Sequence, residues 1–189
     1  MRKVTATSIL FLLTLSAINT RLIQHSHASQ QASTAPSRED AYRANNLGVA
    51  LLEQFKYKEG ADAFKRALQI DPRLATARIN LAIALFNVPD LVGAQREAQA
   101  AIALAPNAPQ PHYILGLIAK TQARSEDAIG PFQQVLKFDP NDVGANVNLG
   151  QIYSQQRKYP EAIAAFRTAV AAEPYNATAL YNLGTTLIR

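Results

Sequence analysis

A fixed interval of 34 residues runs through this chain of 189 residues. The interval is kept by one proline and one leucine in each repeat: Pro72, Pro106, Pro140 and Pro174, and Leu47, Leu81, Leu115, Leu149 and Leu183. Small residues directly follow the leucines: Gly48, Ala82, Gly116, Gly150 and Gly184. A period of this length indicates one small structural unit that is copied and stacked. Small residues let two helix backbones approach closely, and the leucines, with Phe64, Phe132 and Phe166, are expected to fill the remaining space.

Each unit is predicted to contain two antiparallel helices, because its apolar residues fall twice at helical spacing with a polar break between them. The sequence therefore predicts an all-α fold. The units are residues 41–74, 75–108, 109–142 and 143–176, with a partial unit at 177–189. Since the residue before a proline avoids helical backbone angles, each second helix should end before the repeated proline. Pro131, beside Gly130, lies inside the second helix of the third unit and predicts a kink there.

The first 28 residues predict export. Arg2 and Lys3 precede an uncharged apolar stretch, and residues 26–28 offer small side chains at the spacing that signal peptidase requires. We therefore expect a signal peptide over residues 1–28 and a periplasmic or extracellular location. The alternative is an uncleaved anchor, although the stretch is at the short limit of a spanning helix. Residues 29–40 are predicted to be a disordered linker, because residues 29–37 are small and polar, contain a proline and lack apolar periodicity.

Composition excludes several kinds of chemistry. There is no cysteine, so disulfides, thiol nucleophiles and cysteine-bound metals are ruled out. The isoelectric point near 9.6 favours an anionic partner. However, Arg2, Lys3 and Arg21 lie in the leader, and no run of Lys or Arg exceeds two residues, so we expect no nucleic-acid partner. His112 is predicted to be a packing residue, and no nucleotide, metal or triad motif is present. We expect no enzymatic activity, no cofactor and no metal.

These residues resemble the tetratricopeptide repeat family, whose 34-residue motif uses Leu-Gly, small residues, an aromatic residue and a final proline in this order. Unit four matches best, through Asn148, Leu149, Gly150, Tyr153, Tyr159, Ala162, Phe166, Ala169 and Pro174. The family's early aromatic residue is replaced by Ala44, Arg78, His112, Asn146 and Leu180, and Ala98 stands where an aromatic residue is usual. The resemblance implies a right-handed superhelix of antiparallel helix pairs. Its first helices would line a concave groove that holds a protein or peptide.

Asparagines recur at one position of the implied groove: Asn46, Asn80, Asn148 and Asn182, with Ile114 in the third unit. An amide both donates and accepts hydrogen bonds, so such a ladder suits an extended peptide backbone. The alternative is that these asparagines cap or space their helices. The other predicted groove residues are Ile79, Ile83, Phe86, Tyr113, Leu117, Val147 and Gln151. Because the middle of this surface is apolar, a partner with hydrophobic side chains is expected.

Binding of chaperone tails is not expected. Chaperone-binding relatives hold a carboxylate with Lys and Arg at defined first-helix positions, where this chain has Asn45, Gln110 and Ile114. At the other end of the stack, Leu180, Leu183 and Leu187 have no following helix in the sequence to cover them. The last helix caps the stack, recruits a second copy, or belongs to a longer protein, which we favour.

The sequence supports two functional hypotheses. The leading one is an exported scaffold, without catalytic activity, that binds a protein segment in its groove. The alternative is the N-terminal interaction region of a larger secreted or cell-surface protein, whose catalytic or calcium-binding domain lies outside this chain. In both hypotheses the membrane is contacted only through an uncleaved leader.

Overall fold

The computed structural model describes residues 36–189, and Arg38–Arg189 form one compact unit. All regular structure in this part of the chain is α-helical. The helices are α1 (Arg38–Glu53), α2 (Tyr57–Ile70), α3 (Ala75–Asn87), α4 (Leu91–Leu104), α5 (Pro109–Thr121), α6 (Ser125–Phe138), α7 (Val143–Gln155), α8 (Tyr159–Ala172) and α9 (Ala177–Leu187). None of them is both long and apolar enough to cross a bilayer. The predicted signal peptide lies outside the described residues.

The helices pack as successive pairs along the stack. Each odd-numbered helix from α1 to α7 contacts the next helix most extensively, and neighbouring pairs contact one another. The second helices α2, α4, α6 and α8 are each 14 residues long and begin one repeat interval apart. Each ends just before the repeated Asp-Pro, Ala-Pro or Glu-Pro, as expected from the restriction on the residue that precedes proline. The described chain is therefore an all-α solenoid.

The core of three pairs is a phenylalanine ring laid directly on a glycine. A Cβ atom at Gly116 would lie 2.7 Å from the Phe132 ring, and one at Gly150 would lie 2.5 Å from the Phe166 ring. Gly48 and Phe64 form the same contact in the first pair. All three rings are fully buried. The repeated glycine is thus required by the close approach of the ring, whereas the sequence analysis explained the small residue by the close approach of two helix backbones.

In the second helix pair, two alanines take the places of the glycine and the phenylalanine. Ala82 stands in the glycine position and Ala98 in the phenylalanine position, and both are fully buried. The smaller side chain at 98 leaves room for the Cβ atom at 82. The loss of an aromatic residue is therefore matched by a gain of one carbon on the facing helix.

The leucine series is only partly buried, which corrects the prediction that all five fill the core. Leu81 and Leu149 are 3% exposed, whereas Leu47 is 50% exposed. Leu47 lies on α1, and within the described residues no helix packs in front of it. Leu115 and Leu183 are half-buried. How far the leucine at this repeat position is buried therefore depends on which helices surround its unit.

The predicted linker extends too far toward the first unit. Helix α1 begins at Arg38, so residues 38–40 are helical. Glu39 and Asp40 lie in its first turn, where acidic side chains interact favourably with the positive end of the helix dipole. The Glu39 carboxylate also accepts a hydrogen bond from Arg43 at 2.6 Å, one turn later.

Pro131 does not interrupt its helix. Helix α6 is continuous through Gly130 and Pro131, and its ends match those of the other second helices, so the repeat register is right. Pro131 has no N–H to donate to the Asp127 carbonyl. A Cβ atom at Gly130 would meet no neighbour within 4 Å, so this part of the helix has free space beside it. The kink itself stays a prediction.

Polar groups stand in for the missing early aromatic residue in two units. Arg78 donates to the Pro72 carbonyl at 2.9 Å, and Asn146 donates to the Pro140 carbonyl at 3.0 Å. Each side chain thereby ties a first helix to the turn that precedes it. Arg78 also binds the buried Glu97 carboxylate of α4 at 2.8 Å. These contacts replace aromatic packing with hydrogen bonds between the turn and the pair.

Candidate peptide-binding groove

An apolar cavity of about 550 Å³ opens among the first helices α3, α5 and α7. Four predicted groove residues line it: Ile83, Phe86, Tyr113 and Leu117. Ile114 and Val135 add further apolar walls, and the polar residues Gln110 and Asp142 also line it. Helical spacing places Tyr113 and Leu117 one turn apart on α5, so they face the same space. The volume lies within the range of about 300 to 1,000 Å³ that is typical of ligand sites.

A second hollow of about 370 Å³ adjoins the first. Tyr113 and Gly144 line both spaces. Its other walls include Val147 and Asn148 from α7, together with Glu173, Asn176 and Thr178 from the turn and helix that follow. The two spaces therefore form a path across the first helices that is apolar on one side of Tyr113 and more polar on the other.

Tyr113 is a fixed wall between the two spaces. Its ring packs edge-to-face on Phe132, with ring centroids 5.5 Å apart, and its hydroxyl accepts a hydrogen bond from Asn148 at 3.3 Å. Gly144 makes room for it, because a Cβ atom there would lie 2.5 Å from the hydroxyl oxygen. Burial, aided by the Asp142 charge, raises the pKa of Tyr113, so the hydroxyl stays neutral. It is thus a polar point in a largely apolar wall.

The predicted asparagines lie on α1, α3, α7 and α9, but most of their amides already have partners. Asn148 is buried, and its amide nitrogen donates to the Gly144 carbonyl at 2.8 Å as well as to Tyr113. Its carbonyl oxygen accepts from Lys120. Asn80 donates to the Asn45 oxygen at 3.0 Å, and Asn182 donates to the Thr178 carbonyl at 2.8 Å.

Asn46 accepts a hydrogen bond from Asn45 at 3.4 Å, but it differs from the other members of the series in its exposure. It is exposed, whereas its neighbour Asn45 is buried and takes part in the contact with α3. The ladder as a peptide grip stays a prediction. The observed hydrogen bonds also suit the alternative, in which asparagines join one first helix to the next.

Two of these hydrogen bonds join an asparagine to one fixed position of the preceding unit. The sequence analysis missed this pairing. The Asn80 to Asn45 bond and the Asn148 to Tyr113 bond join the same two repeat positions in successive units. In both pairs the partner residue stands 35 positions earlier. A search along the exact repeat period does not compare these positions. The signal was nevertheless present as Asn45 and Tyr113, each directly before the asparagine position of its own unit.

Lys120 is a second residue that the sequence analysis missed. It is half-buried near the end of α5 and donates to the Asn148 oxygen and, at 2.8 Å, to the Gln151 oxygen on α7. Burial lowers its pKa. Gln151, a predicted groove residue, is therefore held by this lysine. Ile79 is half-buried but lines neither of the two spaces.

His112 has the packing role that was predicted for it. Its ring stacks on Phe138, with centroids 6.4 Å apart and planes 25° apart. Burial lowers the pKa of His112, which favours the neutral ring.

Comparisons with known proteins identify the repeats. Models of the tetratricopeptide repeat match residues 41–74, 79–143, 132–164 and 150–188. No curated protein sequence matches the chain significantly.

Solved structures share the fold at low sequence identity. PilF of Pseudomonas aeruginosa superposes with a TM-score of 0.72 at 21% identity, over 80% of this chain and 69% of that one. MamA of Desulfovibrio magneticus RS-1 gives 0.71 at 20% identity, over 82% and 87%. YrrB, described as a tetratricopeptide repeat protein with an unusual peptide-binding site, gives 0.66 at 21% identity, over 80% and 78%. The described part of this chain is therefore a solenoid of tetratricopeptide repeats.

Proposed function

We propose that the first helices hold a segment of a partner protein whose large apolar side chains enter the cavity among α3, α5 and α7. The observation that carries this proposal is the cavity itself, with Ile83, Phe86, Ile114 and Leu117 in its walls. Burial of apolar side chains there would supply most of the affinity. Because the amides of Asn80, Asn148 and Asn182 already donate within the chain, we assign them a smaller part.

Related structures support a role in protein interaction. The first tetratricopeptide repeat domain of Spaghetti (RPAP3) is bound to an HSP90 peptide, SRMEEVD, and it superposes with a TM-score of 0.61 at 22% identity. This chain lacks the basic residues that the resemblance associates with chaperone tails, so we propose a different class of segment. We also propose export, on the residues of the predicted signal peptide, and a scaffold without catalytic activity. The second candidate, an interaction region of a larger secreted protein, uses the same surface.

Filling the cavity should weaken binding. Random peptides displayed on phage are selected on the full chain, and the affinities of synthetic copies are measured by fluorescence anisotropy. We expect Leu117→Trp to weaken binding about tenfold or more, because the indole occupies the space that the peptide needs. Phe86→Ala is the second variant, and we expect it to weaken binding by removing a wall of the cavity.

Leu104→Trp is the matched control, since Leu104 lies exposed at the end of the second helix α4. It should bind as the unchanged protein does. Thermal unfolding of each variant separates lost binding from lost folding. Equal loss in the control, or full affinity in folded Leu117→Trp and Phe86→Ala, would contradict the proposal.

A further inference from the structure

Lys120 is a half-buried cation on the first helix α5, and its hydrogen-bond partners are neutral. Its ammonium donates to two amide oxygens, those of Asn148 and Gln151. An amide oxygen satisfies a donor but carries no net charge to balance the ammonium. The positive charge of Lys120 is therefore hydrogen-bonded without being neutralised.

Several other charged groups in the described residues pair with an opposite charge. Seven carboxylate contacts join arginines or lysines to acids, and Lys120 is in none of them. The buried acid Glu97 is balanced by two arginines, Arg78 and Arg96. Burial also lowers the pKa of Lys120, and no acid within residues 36–189 offsets that effect. The groove thus carries a partly desolvated charge that a ligand carboxylate would balance.

Lys120 lies near residues that line each of the two hollows. It stands one helical turn after Leu117, which lines the apolar cavity, and its repeat equivalent in the second unit is Phe86, another cavity residue. Asn148, which accepts its hydrogen bond, lines the second hollow. Lys120 itself lines neither space, but a segment that crosses both passes Asn148, which is one hydrogen bond from this ammonium, before reaching its own end.

We propose that Lys120 binds the side-chain carboxylate of an aspartate or glutamate within the partner segment, next to the apolar side chains that enter the cavity. This inference rests on the proposed function and specifies the chemistry of the partner. Because hollows lie on both sides of Tyr113, an internal acidic side chain fits the path better than a chain terminus does. The acid supplies charge complementarity, which fixes the register of the segment on the helices.

The test uses the same display selection, with random peptides joined to the phage coat through their C-termini. We expect peptides selected on the unchanged full chain to combine large apolar residues with Asp or Glu at a fixed offset. Selection on Lys120→Met should keep the apolar residues and lose the acid, and selection on Lys120→Glu should favour Lys or Arg. Lys65→Met is the matched control, because Lys65 is an exposed lysine on the second helix α2.

Synthetic peptides then identify the source of the carboxylate. Changing the selected acid to its amide should weaken binding to the unchanged chain about tenfold to hundredfold, and should have little effect on Lys120→Met. Amidating the C-terminus should change neither affinity. Apolar peptides without an acid preference would overturn the role of Lys120 and leave the cavity proposal standing. Dependence on the C-terminal carboxylate would overturn the assignment to a side chain, and failure to select any peptide would overturn both proposals.

Discussion

Gly150→Ala is expected to destabilise the solenoid by about 1 to 3 kcal/mol, although alanine is the better helix former. The added Cβ atom would lie 2.5 Å from a ring carbon of Phe166, which is fully buried, so the ring would have to shift within a packed core. The second pair carries Ala82 only because its facing residue is Ala98. Unfolding in guanidinium chloride, followed by circular dichroism, measures the change in the free energy of unfolding.

Gly184 provides the matched control for this prediction. It occupies the same repeat position in α9, but a Cβ atom there would meet nothing within 4 Å. Gly184→Ala should therefore be neutral, or should stabilise by up to about 1 kcal/mol through helix propensity. If the two substitutions had the same effect, packing of phenylalanine on glycine would not be the reason for the repeated glycine.

Glu97→Ala is expected to cost about 3 kcal/mol of stability. The Glu97 side chain is 9% exposed, and its carboxylate binds Arg78 at 2.8 Å and Arg96 at 3.1 Å. Removing one partner of a buried ion pair leaves the other charge uncompensated. Arg78 would keep only its bond to the Pro72 carbonyl, and its Nε atom already lacks a partner. Denaturant unfolding again gives the magnitude.

Arg96→Ala measures how much the exposed arginine of this ion-pair cluster contributes to stability. The Arg96 side chain is 70% exposed, so its contact with Glu97 should contribute less than about 1 kcal/mol. Arg78→Ala should resemble Glu97→Ala, since it leaves Glu97 without its less exposed partner. If Arg96→Ala and Glu97→Ala lowered the free energy of unfolding equally, the exposed Arg96–Glu97 contact would be the main source of stability in this cluster.

The regular part of the fold was predictable because it repeats. The spacing of the prolines predicted the ends of α2, α4, α6 and α8, and the repeated small and large residues predicted closely packed helix pairs. Ile83, Phe86, Tyr113 and Leu117 were placed on one surface by their positions in the first helices. The structure brings these four residues around one cavity.

Features that depend on differences between units were not predictable from the period. Leu47 shares its position with Leu81, yet only Leu81 is covered by neighbouring helices. Asn45 and Tyr113 receive hydrogen bonds from the next unit across an offset of 35 residues. Lys120 stands where other units have Leu52, Phe86 and Ser154, so the repeat gives no reason to expect a charge there. Tertiary neighbours, rather than the repeat itself, decide the roles of these residues.

The most direct test of peptide binding among the first helices is a nuclear magnetic resonance titration of the full chain, labelled at its isoleucine methyl groups, with a peptide from the selection described above. Binding in the cavity predicts shifts at Ile83 and Ile114, which line it, and little change at Ile70 and Ile163 on the second helices α2 and α8. Shifts concentrated at Ile70 and Ile163, with Ile83 and Ile114 unmoved, would contradict it.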